Sequence, residues 1–387
     1  MQGERIFAFC LMEELFMSAS KVYFTNFRAT PDMPLTKKLR RLLEKAGMMD
    51  MDLNGKFTAV KIHFGESGNL AYLRPNYAKV VVDTLKDMGA RPFLTDCNTL
   101  YVGSRRNALD HLNAAYENGF SPFQTGCHVL IADGLMGTDD VAVPVDGEYC
   151  REARIGRAIM DAEAVISLNH FKCHEGTGIG GALKNLGMGC GSTAGKRDMH
   201  HDGKPTVRPW DCIGCGRCVR QCAHGAIEFV EYEGRRVANV LHDLCTGCAR
   251  CVGVCRDRGA ILGADTSNDV LNCKISEYAK AVVQNRPNFH ITLVCDVSPY
   301  CDCHPENDSP IIADVGMFAS YDPVALDVAC ADACNRMEPL PGTFLAEKEH
   351  RTGDVFNDTH PYTNWRVGVE HAAKIGVGSL EYELIEI

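Results

Sequence analysis

The sequence predicts an α/β fold with a largely parallel sheet and helices on both faces, interrupted by a small ferredoxin-like α+β module. Two observations lead to this prediction. From Lys21 onward, the spacing of the apolar residues switches repeatedly between the period of a strand and that of a helix. Between about Pro205 and Gly263 the alternation stops, and cysteines at short, regular spacing take its place. Because the alternation resumes afterwards, the cysteine-rich segment is predicted to be an insertion.

The elements follow one another as strand and helix. The predicted strands before the insertion are KVYFTNF, FTAVKIHF, RPFLTD, HVLIAD and AVISL. The helices between them are LTKKLRRLLEKAG, PNYAKVVVDTLKDMGA, RRNALDHLNAAYENG and RIGRAIMDA, the first two closed by Gly47 and Gly89 as helix C-termini prefer. After the insertion we expect a helix at ISEYAKAVVQ, strands at FHITLV and PIIADVGM, and a helix from Pro323 to about Met337. This order favours parallel strands covered on both faces.

The predicted domain boundaries follow from the same pattern. Residues 1–17 are an extension, 18–204 and 264–387 are the two parts of the α/β domain, and 205–263 are the insertion. The apolar run Ile6–Met12 is interrupted by two glutamates and lacks a basic cluster before it, which argues against a signal peptide.

Composition limits the classes of function. The formal net charge of -10 argues against binding to nucleic acid or to an anionic membrane surface. No apolar run approaches the roughly 18 residues of a membrane span. With 20 cysteines in a chain of long helix and strand patterns, metal thiolates are favoured over a disulfide framework. We therefore expect a soluble, cytoplasmic protein.

Two cysteine runs of the form C-x2-C-x2-C-x3-C carry the strongest signal. This tandem pattern is that of bacterial ferredoxins with two [4Fe–4S] clusters, in which the fourth cysteine of each run ligates the other cluster. Zinc ribbons use paired C-x2-C motifs instead. The usual proline after each fourth cysteine is replaced by Ala223 and Arg256, which bears on the reduction potential but removes no ligand. The predicted ligands are Cys212, Cys215, Cys218 and Cys255 for cluster I, and Cys245, Cys248, Cys251 and Cys222 for cluster II.

Polar segments follow four predicted strands, at 63–69, 96–105, 169–192 and 295–304. In open parallel sheets, ligands bind beyond the carboxyl ends of the strands, so these segments are expected to form one site. The candidate catalytic residues are His63, Glu66, Asp96, Arg105, His174 and Lys184. Cys190, Cys301 and Cys303 are candidates for a further metal site or for ordinary buried thiols. The glycine-rich segment 176–181 is interpreted as an anion-binding loop rather than a dinucleotide site, since no convincing acidic residue follows at the required distance.

From about Ser18 to Arg336 the chain resembles the iron–sulfur centre proteins grouped as Domain of Unknown Function 362, which often contain an inserted two-cluster ferredoxin. The resemblance rests on KIHFGESGN, TDCNTLYVGSRRNALDH, HFKCHEGTGIGGALKNLGMGCGS, the double cysteine run, CDCH and DVGMFASYDPVALD. It implies a redox role in anaerobic metabolism and supplies no substrate. Cys173 stands where the family leads us to expect glycine, so it is not taken as a ligand.

Two hypotheses about function remain. In the first, the protein is an iron–sulfur oxidoreductase whose clusters exchange electrons with a small molecule at the polar site. In the second, it is a ferredoxin-type electron carrier whose α/β domain docks a partner redox enzyme. The charged residues of the polar segments favour the first, because a pure carrier does not need them.

Overall fold

The computed structural model describes residues 19–200, 204–245, 250–255, 258–262 and 267–387. Its strands are β1 Ser20–Asn26, β2 Phe57–Lys61, β3 Arg91–Asp96, β4 Val129–Ile131, β5 Asp140–Pro144, β6 Glu152–Gly156, β7 Ala164–His170, β8 Lys172–His174, β9 Gly178–Gly180, β10 Thr206–Val207, β11 Ile227–Tyr232, β12 Arg235–Val240, β13 Ile261–Leu262, β14 Asn288–Val294, β15 Gly316–Ser320 and β16 Tyr382–Glu386.

The α-helices are α1 Leu35–Lys45, α2 Pro75–Asp87, α3 Ala108–Glu117, α4 Pro122–Thr125, α5 Arg157–Asp161, α6 Ala182–Cys190, α7 Thr193–Met199, α8 Arg217–Gln221, α9 Arg250–Val254, α10 Ser267–Val283, α11 Pro323–Asn335, α12 Val355–Thr359 and α13 Trp365–Lys374. Short 3₁₀ helices lie at Met48–Asp50 and Pro209–Asp211. No helix in these described ranges combines the length and the apolar character needed to cross a bilayer.

Eight strands form the central sheet, in the order β16-β1-β15-β14-β7-β2-β3-β4. Every neighbouring pair is parallel except the two made by β15, which is antiparallel to both β1 and β14. Strands β7 and β15 are buried along their whole length, as expected for strands covered on both faces. The predicted α/β class and largely parallel sheet are confirmed.

Helices cover both faces of this sheet. On one face, α1 and α2 contribute residues such as Leu42 and Val81 to a core with Val60 of β2. On the other face, α6, α10, α11 and α13 pack together, with Leu186 and Tyr278 fully buried. Apolar stripes at helical spacing in these segments are therefore explained by packing against the sheet.

Two predicted elements differ from the structure. The predicted helix RIGRAIMDA begins only at Arg157, because Arg154–Gly156 belongs to β6, which pairs with β5 and buries Ile155. The predicted strand PIIADVGM begins only at Gly316 and continues to Ser320. In both places a pairing with a distant segment overrides the local pattern.

The insertion has a small core of its own. It contains the antiparallel pairs β10–β13 and β11–β12, with Cys218, Ile227, Val240 and Ile261 packed between its elements. The predicted extension 1–17 and the residues next to the predicted boundaries, 201–203 and 263–266, lie outside the described residues. The exact boundaries of the insertion stay a prediction.

Candidate functional site

A cavity of about 150 Å³ lies at the carboxyl edge of the parallel part of the sheet. Strands β14, β7, β2 and β3 are parallel neighbours, so their carboxyl ends meet at this edge. The segments that follow these four strands all contribute to the cavity or to the side chains that support it. This is the edge at which open α/β sheets bind ligands.

A buried ion pair between Lys61 and Asp96 forms one wall of the cavity. The two residues end β2 and β3, and Lys61 Nζ lies 3.0 Å from Asp96 Oδ1. Lys61 also donates a hydrogen bond to Asn185 Oδ1 at 2.6 Å. Burial by itself raises the pKa of Asp96, but Lys61 and other nearby cations hold this pKa below its ordinary value. Asp96 is therefore a carboxylate in a fixed position.

Arg105 is the centre of a second buried group. Its Nε lies 3.0 Å from Glu66 Oε2, and its Nη1 lies 2.9 Å from His63 Nε2. Its Nη2 donates to the hydroxyl of Tyr101. Burial and the charge of Arg105 lower the pKa of His63 well below its ordinary value, so this imidazole is neutral. Three candidate catalytic residues, His63, Glu66 and Arg105, thus belong to one hydrogen-bonded group.

Asp302 anchors the loop that follows β14. Its Oδ2 lies 2.8 Å from Nδ1 of His170, the last residue of β7, and 3.5 Å from Nζ of Lys172. Burial raises the pKa of Asp302, but His170 and Lys172 bring it down to about 2. Because Asp302 lies between Cys301 and Cys303 in sequence, these ionic contacts also fix the two cysteines.

Cys301 and Cys303 place two thiols side by side, and Cys303 lines the cavity. Lys184 Nζ lies 3.7 Å from Cys301 Sγ, and His174 Nε2 lies 3.9 Å from Cys303 Sγ. Hydrogen bonding with Cys301, together with nearby cations, lowers the pKa of Cys303 well below its ordinary value despite burial. Burial raises the pKa of Cys301 to about 12. Of the two thiols, Cys303 is therefore the one that loses its proton more readily.

His174 and His304 lie beside this pair and differ in charge. Burial lowers the pKa of His174 to about 4, so its ring is neutral at pH 7. Burial also lowers the pKa of His304, but Cys303 and Glu175 outweigh this effect and raise it to about 11. His304 Nε2 lies 2.5 Å from Glu175 Oε1. His304 is thus a cation held next to the Glu175 carboxylate and the Cys303 sulfur.

Two overlapping groups have the spacing of metal ligands. One comprises His174, Cys301 and Cys303, the other Glu175, Cys303 and His304, and in each the ligand atoms lie within 4.8 Å of one another. Sulfur and imidazole ligands suit zinc, copper or iron. This part of the cavity wall can therefore hold a metal ion.

Cys190 does not belong to either group. Its Sγ lies 3.8 Å from the carbonyl oxygen of Asn185, and its own carbonyl accepts a hydrogen bond from Cys97 Sγ at 3.3 Å. The fold brings Cys301 and Cys303 together and leaves Cys190 at the end of α6.

The glycine-rich segment does not offer the free anion-binding loop that its sequence suggested. It leads into α6, whose first two amides, those of Ala182 and Leu183, donate to the carboxylate of Asp327 at 2.7 and 2.9 Å. A Cβ atom on Gly181 would come within 2.3 Å of this carboxylate, which explains the glycine. Burial raises the pKa of Asp327 to about 7, although the two amides act in the opposite direction, so the protein's own carboxyl group already occupies this helix N-terminus.

The insertion contacts the loop that follows β3. The guanidinium of Arg250 lies over the ring of Tyr101, 4.1 Å from its centroid, and Arg250 Nη1 donates to the carbonyl of Val102 at 2.8 Å. Arg106 Nη2 donates to the carbonyl of Ala223 at 3.1 Å. Arg250 precedes Cys251 and Ala223 follows Cys222, so both contacts adjoin predicted ligands of cluster II.

The cysteines of the insertion lie around its small core. The side chain of Cys218 lies near those of Cys212, Cys215 and Cys255. Burial raises the pKa of Cys218, and the charges of these three cysteines raise it further. Backbone amides donate to sulfur at two positions, Ala238 to Cys212 at 3.4 Å and Ala226 to Cys222 at 3.3 Å. Cys245 and Cys251 pack in the same core, while Cys248 lies outside the described residues.

Several cavity residues were not identified from the sequence as candidates. Lys61 lies within a strand, where a polar residue gives no local sign of a functional role, whereas His170 lies in the polar segment 169–192 although the observed strand extends to it. Asp302 and His304 lie in the polar segment 295–304, and Glu175 lies in 169–192, so those segments contained the available signal. The residues that the sequence did not single out are Lys61, Tyr101, His170, Lys172, Glu175, Asp302 and His304.

A family model described as Domain of unknown function (DUF362) matches residues 58–332, and the chain belongs to this family. Among solved structures, a protein from Thermotoga maritima is similar with 13% identity and a TM-score of 0.39, over 78% of this chain and 58% of that one. The lactate racemase apoprotein from Thermoanaerobacterium thermosaccharolyticum has 11% identity and a TM-score of 0.38, over 72% and 51%. This chain thus spans little more than half of either protein. No curated protein matches the sequence.

Proposed function

We propose that this protein is an iron–sulfur redox protein whose two [4Fe–4S] clusters pass electrons to or from a small molecule in the cavity of the α/β domain, residues 18–204 and 264–387, which we call the α/β body. One chain of contacts carries the proposal. Arg250, next to Cys251, lies over Tyr101, and the Tyr101 hydroxyl accepts a hydrogen bond from Arg105 in the cavity wall. A cluster ligated by Cys251 would thus be linked to the cavity through three side chains in contact.

The predicted ligands of cluster I are arranged in a way that suits an iron–sulfur cluster better than a single metal ion. Cys212, Cys215, Cys218 and Cys255 all lie in the described residues and near one another. They do not form the compact ligand group found for His174, Cys301 and Cys303. A cubane holds its sulfur ligands farther apart than a single zinc ion does, and the amide donors to Cys212 and Cys222 are of the kind that tunes cluster potentials. When bound, the clusters would supply one-electron transfer.

The charges around the cavity favour an anionic small molecule. Its cationic lining residues are Lys61, Arg105, Lys172, Lys184, Lys196, Arg250 and His304. Two carboxylates, Asp96 and Glu175, line the same space. From outside the lining, Asp302 pairs with Lys172 and Glu66 pairs with Arg105, so two of these cations are neutralised. The remaining positive charge would attract a carboxylate or phosphate group and hold it beside Cys303.

The first test is the metal content. Anaerobically purified protein should contain about eight iron and about eight sulfide per chain, because two sets of four cysteines complete two [4Fe–4S] clusters. Chemical analysis of iron, sulfide and zinc measures this directly. About four of each, or zinc in place of iron, would contradict the proposal.

The second test asks whether the cavity takes part in the reaction. Candidate anionic oxidants are first screened for reoxidation of the reduced, unmodified protein. Lys184→Ala and His174→Ala should then slow reoxidation about a hundredfold, since the loss of a charge-assisted contact in a dry site costs on the order of 3 kcal/mol. Iron content and melting temperature should stay unchanged, because neither residue belongs to the cysteine runs.

Lys37→Ala, which removes an exposed lysine on α1, is the matched control and should reoxidise at the normal rate. A lower melting temperature with normal reoxidation would assign Lys184 and His174 a structural role. If a partner protein reoxidises the clusters and no small molecule does, the protein is instead an electron carrier whose α/β body docks that partner.

A further inference from the structure

The thiol pair of the cavity lies where electrons from the clusters would arrive. Cys303 lines the cavity beside Tyr101, and the Cys301 and Cys303 sulfurs lie within 4.8 Å of each other. Tyr101 is also the residue that Arg250 of the insertion contacts. A bound small molecule, the pair and the route from the insertion therefore share one space.

We propose that Cys301 and Cys303 are a redox-active pair that interconverts between two thiols and a disulfide, and so stores the electrons that the clusters deliver singly. This inference rests on the proposed function, because the clusters are its electron donors and acceptors. It assigns the two cysteines a role in the reaction.

The geometry of the loop favours bond formation between the two sulfurs. Only Asp302 separates the cysteines in sequence, and the amide of Cys303 already donates to Cys301 Sγ at 3.4 Å. The backbone carbonyl of Asp302 accepts from the amide of Glu66 at 2.9 Å, and its carboxylate pairs with His170. Asp302 is held through both its backbone and its side chain, so we expect the sulfurs to meet by rotation of the two cysteine side chains. A disulfide in so short a loop is strained, and strained disulfides are the ones that are readily reduced.

Proton donors lie next to both sulfurs. Lys184 Nζ is 3.7 Å from Cys301 Sγ, and His174 Nε2 is 3.9 Å from Cys303 Sγ. His304 follows Cys303 directly and is paired with Glu175. Positive charge and donors around a thiol favour the reactive thiolate form and can return a proton when the disulfide is reduced.

The position of the His174 ring argues for this role over a metal site. Its Nδ1 accepts hydrogen bonds from the amides of Gly176 at 3.0 Å and Thr177 at 3.2 Å. The single proton of the neutral ring is therefore on Nε2, which points to Cys303 Sγ. A neutral histidine that binds metal through Nε2 needs its proton on Nδ1, where two donors already lie. His174 is thus set to donate to a sulfur.

The reaction balances with the two clusters alone. In the reducing direction each cluster gives up one electron, the bond between Cys301 Sγ and Cys303 Sγ breaks, and the sulfurs take up two protons. In the oxidising direction the bond forms, the two protons leave, and each cluster gains one electron. Two one-electron centres thereby match one two-electron couple.

A reductive titration of the complete, cluster-loaded protein tests the inference. The protein is oxidised with thionine, desalted, and titrated anaerobically with reduced methyl viologen until the blue colour persists. The unmodified protein should take up about four electron equivalents per chain, about one for each cluster and about two for the disulfide. Cys303→Ser should take up about two. Cys127→Ser, which removes a buried thiol outside the cavity, should still take up about four.

Alkylation of the unmodified protein gives a second measurement that needs no variant. After titration, iodoacetamide under denaturing conditions should label both Cys301 and Cys303. Before titration it should label neither, and the peptide that contains both should be lighter by two hydrogens. Mass spectrometry of the digest reads both states.

Each outcome separates the inference from the proposed function. Equal electron uptake by the unmodified protein and Cys303→Ser, with full iron content, would overturn the redox pair and leave the iron–sulfur function intact. The unmodified protein could instead contain stoichiometric zinc, or iron in addition to the cluster iron, that Cys303→Ser loses. This result would mean that the two cysteines bind a metal ion and are not a redox pair. Absence of cluster iron from the unmodified protein would overturn both.

Discussion

The insertion and the α/β body use cysteine in two different ways. In the insertion, eight cysteines follow one another at fixed short spacing, and Cys215 is exposed while Cys212 and Cys255 are half-buried. In the body, Cys301 and Cys303 are buried and lie beside side chains from distant segments, such as His174. Cysteines that are close in sequence can be brought together by the loops that contain them. A site assembled at a sheet edge depends on the whole body.

The same contrast holds for charge. The body buries its charged groups in pairs, with Lys61 against Asp96 and Arg105 against Glu66. The insertion has a small core and carries its charged residues at or near its surface, as Arg235 and Arg236 of β12 illustrate. Removal of a cysteine from the insertion is therefore expected to change the proposed clusters, and removal of one member of a buried ion pair from the body to change stability.

The largest expected effect is the loss of a whole cluster. Cys255→Ala should remove cluster I, although Cys255 belongs to the second run, so its electron paramagnetic resonance spectrum should match that of Cys218→Ala. Cys222→Ala and Cys251→Ala should share a different spectrum, that of a protein without cluster II. If Cys255→Ala instead resembled Cys251→Ala, each run would hold its own cluster and the crossed ligation would be wrong.

A large loss of stability is expected in the body when Arg105 is removed. Arg105→Ala leaves the Glu66 carboxylate buried without its cation, which costs about 3–5 kcal/mol of unfolding free energy. Arg40→Ala is the control, because its pair with Asp87 is on the surface and should contribute at most about 1 kcal/mol. Denaturant unfolding followed by circular dichroism compares the two. Equal losses would mean that the buried pair contributes no more to the free energy of unfolding than the surface pair does.

A smaller effect is expected from acid, through His290 in the body. This histidine is fully buried in β14, and burial lowers its pKa to about 3. Below pH 6.5 the unfolded chain takes up a proton that the folded chain does not, so stability falls between pH 6.5 and about 3. The expected loss is about 1.4 kcal/mol for each pH unit. His290→Gln should weaken this dependence, and unfolding free energies at pH 7 and pH 5 measure it.

The control for His290→Gln is the comparison between pH 7 and pH 8, where neither protein should change through this residue. Glutamine can keep hydrogen bonds to the present partners, Ser167 and Asn288, which limits other losses. An unchanged slope between pH 7 and pH 5 would show that His290 takes up its proton in the folded state too.

The smallest effect on stability is expected where the two regions meet. Arg250→Ala removes the contact with the Tyr101 ring and should cost about 0.5–1 kcal/mol. Iron content should not change, because Arg250 is not a ligand, whereas electron transfer from the clusters to a cavity-bound oxidant should slow. Stopped-flow reoxidation measures this rate. A normal rate with normal iron content would mean that electrons leave the clusters by another route.

Much of the fold could be predicted because its determinants are local. The switch between strand and helix periods gave β1 to β3, α1 and α2 close to their observed positions. The antiparallel direction of β15 could not be predicted, since it depends on which strands lie beside it. For the same reason, a helix prediction extended over Arg154–Gly156, which the structure pairs with β5.

For the candidate site, the sequence alone determined the short-range features: the two cysteine runs, the alternating α/β order, and the polar segments after strands. Only the tertiary structure decided that Asp302 holds His170, that Asp327 occupies the N-terminus of α6, and that Lys184 lies beside Cys301. These partners are more than a hundred residues apart in the chain. The physical reason is that spacing along a backbone fixes ligands of one loop, whereas distant side chains meet only when the parallel strands align their carboxyl ends.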